Sequence, residues 1–445
     1  MNTTSASTTS VLIQQQRSRT VHGVRVGFGV GAPRRPWKDG STTHDGSARG
    51  LSRTGLEIAV GAIFLFVALL LSVVLHEFGH FYFPRRFKVP VSQFMAGFGT
   101  TVFSKKICAT EVGLKALPLG GYIRMKGIYP DAQDDDAADM PGKPFFQLPA
   151  GQKIIIMAAG PAVNFVLALI LLLVGYWGMG SPAVASGEVS PCTPRDVTIS
   201  CTGSAPASPA SNSLQSGDVL VAINGKRISS WNDVVESVRQ HPNERVVFDI
   251  DRNGVVREVA VTLTQTAMSG GTQIRYLGVT PYTTVRPQTL EPALDQSTDI
   301  IGGTVKSLAR VPETTVSTLV KIVPSQPSAP DRPLSLLGFG QVAGAVAGAP
   351  SLDTSAKLQI YVLLAAQLNL ALFFVNLFPL PPFDGGHIAA AVYQGARDRF
   401  YVARGKHLPA PVSIGRLIPL TLIVLSAFLA VGAVFLVAEI ISPIV

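Results

Sequence analysis

His76-Glu77-Phe78-Gly79-His80 sets two imidazoles four residues apart with a carboxylate between them. Residues four apart share one face of a helix. Two imidazoles at that spacing can grip one zinc ion, and Glu77 is then placed as a general base. The five residues end an apolar run that starts at Leu56 and passes through Leu69-Leu70-Leu71-Ser72-Val73-Val74-Leu75. An ionisable side chain at membrane depth costs about 2.5–3.5 kcal/mol. Such a cluster on one helix turn therefore requires an ion or a polar cavity. A catalytic zinc takes three protein ligands plus water, and Asn376-Leu377-Phe378-Pro379-Leu380-Pro381-Pro382-Phe383-Asp384-Gly385-Gly386-His387 supplies the third. Prolines and glycines there free backbone groups that can line a polar pocket. Asp384 is the expected ligand; His387 is its rival, beside a glycine pair that suggests a turn pointing it away. Asn164 and Asn376 are amides in or beside apolar runs. Each could hydrogen-bond substrate backbone or a developing oxyanion, or simply join helices.

These residues need spans to hold them. The chain has 445 residues, of which 15% are charged, and a mean hydropathy of +0.34. That is a polytopic α-helical membrane protein with room for a soluble domain of about 100 residues. Four spans are predicted, at Leu56–Phe83, Ile154–Tyr176, Leu358–Phe378 and Ile418–Ile441, each able to cross a hydrocarbon core of about 30 Å. The net charge of +9 is spread along the chain, as basic loops flanking spans rather than a nucleic-acid surface, and no nucleic-acid partner is expected. The loop from Arg85 to Lys153 and the short loop from Arg397 to Arg416 are both rich in Lys and Arg. The positive-inside rule makes both cytoplasmic. Residues 180–355 and both termini then lie outside, with the zinc site towards the cytoplasmic end of span one. Residues 1–54 form a polar, basic tail without an apolar run, expected to have neither signal peptide nor fold.

Within this frame, residues 55–179 make the first part of a membrane core and residues 355–445 the second. Phe94–Gly99 and Leu117–Gly127 look like short strands with glycine turns at Gly97, Gly99, Gly120 and Gly121. Strands at membrane depth must be covered by protein or line a cavity, and an exposed edge beside a metal could pair with an extended peptide. Residues 180–280 read as an extracytoplasmic α+β domain: a strand ending in Asn224-Gly225, a helix over Trp231–Arg239, and a hairpin about Asn253-Gly254. The Gln215–Gly225 run resembles a PDZ domain. A Ser-, Pro- and Ala-rich insertion at Cys192–Ser213 stands where a PDZ ligand edge would begin. Cys192 and Cys201 are close together in it, and an oxidising compartment would let them form a disulfide. Cys108 stands apart, and no C-x-x-C occurs. Residues 281–354 are expected to be helices at the membrane surface.

The chain resembles the site-2 protease family of intramembrane zinc metalloproteases, in particular bacterial members with one PDZ domain. The resemblance covers residues 56–441. It rests on His76–His80, on Gly160-Pro161-Ala162-Val163-Asn164, on the glycine-rich strands, and on Asn376–Gly385, where Phe383 replaces the family's Leu. It implies one Zn2+ per chain and cleavage of transmembrane proteins in the bilayer. It further implies anti-sigma factors or remnant signal peptides as substrates, a site-1 protease acting first, and a PDZ region that filters untrimmed substrates. Two other functions share these features: a membrane PDZ adaptor without catalysis, and a zinc or proton transporter. Transporters usually show more spans and internal repeats.

Overall fold

The computed structural model describes residues 47–128, 140–196, 205–241, 245–263, 266–269, 272–322, 334–412 and 414–442. The first helix, α1 (Ser47–Arg86), starts inside the stretch expected to be irregular. It ends with Arg85 and Arg86 in its last turn, where cations complement the helix dipole. A long antiparallel hairpin follows, β1 (Val91–Ile107) and β2 (Thr110–Met125). The two short strands expected here are parts of one continuous pair. Gly97 and Gly99 do not end a strand. They take φ of 88° and 85° inside β1, where the pairing register shifts, as glycine allows at a bulge.

The second apolar helix, α2 (Ala150–Leu173), ends in a π-helical turn at Val174–Gly178. The chain then builds β3 (Ser181–Val189), β4 (Val219–Ile223), β5 (Lys226–Arg227), α3 (Trp231–Gln240), β6 (Arg245–Arg252), β7 (Val255–Thr262), β8 (Thr266–Ser269), β9 (Thr272–Arg275) and β10 (Val279–Arg286). The main sheet runs β10-β3-β4-β6-β7, with β5 on β4. Asn224-Gly225 and Asn253-Gly254 take φ of 49°/74° and 57°/82°, the paired positive values of tight hairpin turns. Phe248, Ile250, Val246 and Leu263 are fully buried in the sheet's core, which Val234 and Val238 of α3 complete. Each such side chain contributes about 1.5–3 kcal/mol by burial. Arg252 donates twice to the buried Asp218, both times at 2.7 Å, and Asp218 accepts from Gln215 N at 2.8 Å. That pins the turn before β4. Cys192 carries a disulfide and Cys108 is free; Cys201, the expected partner, lies outside the described residues.

The chain continues as α4 (Leu290–Ala309), α5 (Val311–Ile322), α6 (Leu336–Gly348), α7 (Thr354–Asn376), α8 (Asp384–Ala403) and α9 (Ile418–Ile441). Among the described residues four helices are long and apolar enough to cross a membrane: Gly55–Arg86, Ala150–Gly178, Thr354–Asn376 and Ile418–Ile441. This is a membrane protein with a β domain between its second and third candidate spans. The loop expected between spans three and four is mostly the helix α8.

Two junctions order these parts. At the sheet, the Thr284 hydroxyl donates to Asp353 Oδ2 at 2.5 Å, and Asp353 Oδ1 caps α7 by accepting from Ala356 N at 2.7 Å. Gln359 of α7 donates to the carbonyls of Gly175 and Gly180 at 2.9 and 2.5 Å, satisfying acceptors that the π-turn frees. At α6, a Cβ on Gly344 would meet Glu57 O at 2.6 Å, so α6 and α1 touch backbone to backbone. The fully buried Glu439 of α9 accepts from Ser335 N at 2.8 Å, from Gly338 N at 2.9 Å and from the Ser335 hydroxyl. It caps the N-terminus of α6.

Candidate metal centre

α1 carries His76, Glu77 and His80, which are 7%, 9% and 5% exposed. Asp384 is the first residue of α8. The cis Pro381-Pro382 bond lies in the turn that leads into it. Gly385 and Gly386 are not a free turn. They form the first turn of α8, and a Cβ on Gly386 would meet Pro381 N at 2.5 Å. Their size lets α8 start against the proline loop, which delivers Asp384 to α1.

Three ligand atoms converge. His76 Nε2 and His80 Nε2 are 3.2 Å apart, and each lies 3.2 Å from Asp384 Oδ2. Tetrahedral ligands about 2.0–2.1 Å from zinc stand about 3.3–3.4 Å from one another, so the triangle fits one zinc ion. The protonation pattern agrees. His80 Nδ1 lies 2.8 Å from the Ile156 carbonyl, which can only accept. His80 therefore carries its proton on Nδ1 and turns a lone pair on Nε2 towards the other two ligands. Second partners of this kind fix the tautomer of metal-bound histidines. Among the described residues, these three form the group able to hold a metal. His387 is not in that group; it lies one turn further along α8.

Two neighbours shape the centre. A Cβ on Gly160 of α2 would meet His76 Nε2 at 2.8 Å and would press on His80 Nε2, so only glycine leaves the ligand nitrogens free. A Cβ on Gly121 would meet Glu77 Cγ at 2.7 Å, which puts β2 directly against the carboxylate's stem. Gly120 faces the Phe98 ring. Asn164 follows Gly160 by one helical turn. It is fully buried, and neither its Nδ2 nor its Oδ1 has a partner among the described residues. Asn376 is the last residue of α7. Sequence reasoning passed over Asn369, which donates to Ser72 Oγ at 2.9 Å. Ser72 stands one turn before His76, so this bond ties α7 to the histidine helix. An amide inside an apolar span was the available signal.

A buried His-His-Asp triangle formed between a membrane-length helix and α8, with the Glu77 carboxylate beside it, is the site of a membrane zinc metalloprotease. Residues 64–420 match peptidase family M50. The chain belongs to that family, the site-2 proteases. It is 31% identical over 411 residues to the zinc metalloprotease Rip1 of Mycobacterium tuberculosis H37Rv, covering 86% of this chain and 98% of that one. The metalloprotease MmpA of Caulobacter vibrioides is 28% identical over 377 residues, with 76% and 89% covered. The zinc metalloprotease RasP of Geobacillus kaustophilus is 27% identical over 418 residues, with 77% and 91% covered.

Proposed function

We propose that this protein is an intramembrane zinc endopeptidase that cuts the transmembrane segments of membrane proteins after another protease has trimmed their outer domains. Its substrates are anti-sigma factors or remnant signal peptides, and its cleavage carries a signal across the membrane. The observation that carries this is the triangle of His76, His80 and Asp384 with 3.2 Å edges, whose two histidines lie on the helix Gly55–Arg86 that is long and apolar enough to span a bilayer. The 180–280 domain is PDZ-like and extracytoplasmic, and the metal centre faces the cytoplasmic side. Residues 55–179 and 355–445 form the protease core, and residues 281–354 lie at the membrane surface. The disulfide of Cys192 is closed by Cys201.

Zinc bound to His76, His80 and Asp384 would polarise a peptide carbonyl and acidify a water. Glu77 would act as the general base, taking a proton from the attacking water and returning it to the leaving amine. The Ile156 carbonyl keeps the His80 lone pair aimed at the metal. Asn164, desolvated and without a partner among the described residues, donates to the oxyanion that develops on the scissile carbonyl, a role worth about 2.7–4 kcal/mol in other enzymes. Asn376 holds substrate backbone. A membrane helix satisfies its own amides, so the substrate must unwind before it can be cut. The β1–β2 hairpin, which carries Gly97, Gly99 and Gly120 and sets Gly121 against the Glu77 stem, keeps the unwound stretch extended by strand pairing.

Glu77→Gln tests this assignment. The variant should retain about one zinc per chain by metal analysis and lose cleavage of a single-span test substrate in detergent. Cleavage at the wild-type rate would eliminate Glu77 as the base.

A further inference from the structure

His76 and His80 are both buried, but only one of them is anchored at its second nitrogen. His80 Nδ1 lies 2.8 Å from the Ile156 carbonyl. His76 Nδ1 is buried and has no hydrogen-bond partner among the described residues. A neutral imidazole that offers Nε2 to a metal carries its proton on Nδ1. Metal-bound histidines almost always donate that proton to an acceptor, and a buried donor left unmet is costly.

An acceptor with spare capacity stands one helical turn away. Asn369 of α7 is 1% exposed, and its Oδ1 is buried without a partner among the described residues. The other end of the amide is fixed, since Nδ2 donates to Ser72 Oγ at 2.9 Å and to the Ala365 carbonyl at 2.8 Å. A carbonyl can only accept, so the nitrogen must face Ala365 and the oxygen must face away. Ser72 is four residues before His76, which puts both on one face of α1 with Cβ atoms about 5–6 Å apart. One water spans about 5 Å between a donor and an acceptor, since each of its hydrogen bonds is about 2.7–3.0 Å long. A buried water needs at least two polar partners, and His76 Nδ1 and Asn369 Oδ1 are two. The third helix of the layer is α2. Phe373, one turn after Asn369, packs on Phe165 with ring centres 4.7 Å apart, and Gly160, one turn before Asn164, borders His76 Nε2.

We propose that Asn369 is a positioning residue for the metal ligand His76. Its Oδ1 accepts the Nδ1 proton through one buried water and so keeps the Nε2 lone pair on the metal. The assignment rests on the zinc reading of the site given above. It makes the two histidines unequal. His80 is held by a backbone carbonyl, which no substitution at Ile156 removes. His76 is held by a side chain from another span, and that span also leads into Asp384. Asn164 is the rival acceptor, because its Oδ1 is buried without a partner as well. Its Nδ2 also has none, so its amide has no fixed end to aim the oxygen.

The test uses the full-length protein in detergent, stripped of metal and titrated with zinc against a competing chelator. Asn369→Leu fills the same space without an acceptor and should weaken zinc binding by about 10–100-fold. Asn369→Asp keeps an acceptor oxygen there and should bind zinc as wild type does. Ser72→Ala removes the tie between α1 and α7 but leaves both Oδ1 and Nδ1. It should lower the unfolding temperature and spare the zinc Kd, whereas a purely structural role for Asn369 predicts parallel effects of Ser72→Ala and Asn369→Leu on both. Circular dichroism and gel filtration report folding; if Asn369→Leu fails to fold, Asn369→Asp decides alone, and weak zinc binding by folded Asn369→Asp refutes the proposal. An unchanged zinc Kd in folded Asn369→Leu refutes it too, whatever happens to stability. Weak zinc binding in Asn164→Leu with an unchanged Kd in Asn369→Leu moves the acceptor to α2, a further refutation. Each of these outcomes leaves the zinc reading standing, and only a wild-type protein that binds no zinc removes both.

Discussion

Gly160→Ala puts a methyl group where α2 crosses the histidine helix. The new Cβ would stand 2.7 Å from His80 Cδ2 and 2.8 Å from His76 Nε2, and nearer still to His80 Nε2. Non-bonded heavy atoms of this kind settle at about 3.5 Å, so the imidazoles or α2 must retreat by at least about 0.7 Å. A Cβ on Gly79 would likewise meet Ala159 O at 2.5 Å, so α1 and α2 cross in close contact here. Zinc ligand distances hold to within about 0.2 Å, so a shift of that size breaks the triangle. Zinc affinity should fall by about 100-fold, the upper end of what altered support of a ligand does, and proteolysis should fall with it. Chelator competition measures the zinc Kd, and circular dichroism checks that helix content is kept. Gly151→Ala is the matched control on the same helix, where a Cβ meets nothing within 4 Å. It should leave zinc binding unchanged and raise stability by at most about 1 kcal/mol. A Gly160→Ala protein with the wild-type zinc Kd would refute the described crossing of α1 and α2.

Asp384→Ala should lose activity and most zinc affinity, read by metal analysis after dialysis; retained zinc and continued cleavage would move the third ligand to His387. Deleting residues 185–265 should let the protein cut a full-length, untrimmed substrate that wild type ignores. If the deletion instead leaves full-length substrate uncut and slows cleavage of the trimmed form in the same membranes, the domain recruits and does not restrain. Asp353→Ala removes the α7 cap and the Thr284 bond, and should cost about 1–2 kcal/mol by thermal unfolding. Burial alone would raise the Asp353 carboxyl, but the Thr284 hydroxyl, the amides of Ala356 and Ser355, and the Ser355 hydroxyl hold it below the usual aspartate range. Its contribution is therefore complete above about pH 4 and lost as pH falls through the lower folded value. The wild-type loss of stability in that acid range should shrink in Asp353→Ala; equal pH profiles would exclude the linkage.

What sequence could convey here was local chemistry and local geometry. His76 and His80 were legible because a four-residue spacing already fixes their common face. Asn224-Gly225 and Asn253-Gly254 were legible because few other pairs tolerate two positive φ values in a row. Asp384 stood out as a carboxylate in a proline-broken loop. The helix α8 did not, because Gly385-Gly386 reads as a turn until Pro381 is seen pressed against it. The hairpin's full length was hidden for a similar reason, since Gly97 and Gly99 serve as bulges within β1. Gly160 belonged to a recognisable signature, yet its purpose depends on a helix crossing. Pairings such as Ser72 with Asn369 and Lys153 with Gln394 join residues 297 and 241 positions apart. No local pattern announces a partner at that distance.

The cap that Glu439 places on α6 also has a consequence for how the chain is made. Glu439 is translated 104 residues after Ser335. At about 5–20 residues per second the ribosome needs about 5–20 s to cover that interval. Throughout it, the first amides of α6 lack the carboxylate that satisfies them, and Glu439 has no donors until its own helix arrives beside them. An unpaired polar group in an apolar setting is costly, so the start of α6 is completed only when the last candidate span arrives beside it. The N-terminus of α6, the helix that lies against α1 at Gly344, therefore stays uncapped until nearly the end of synthesis.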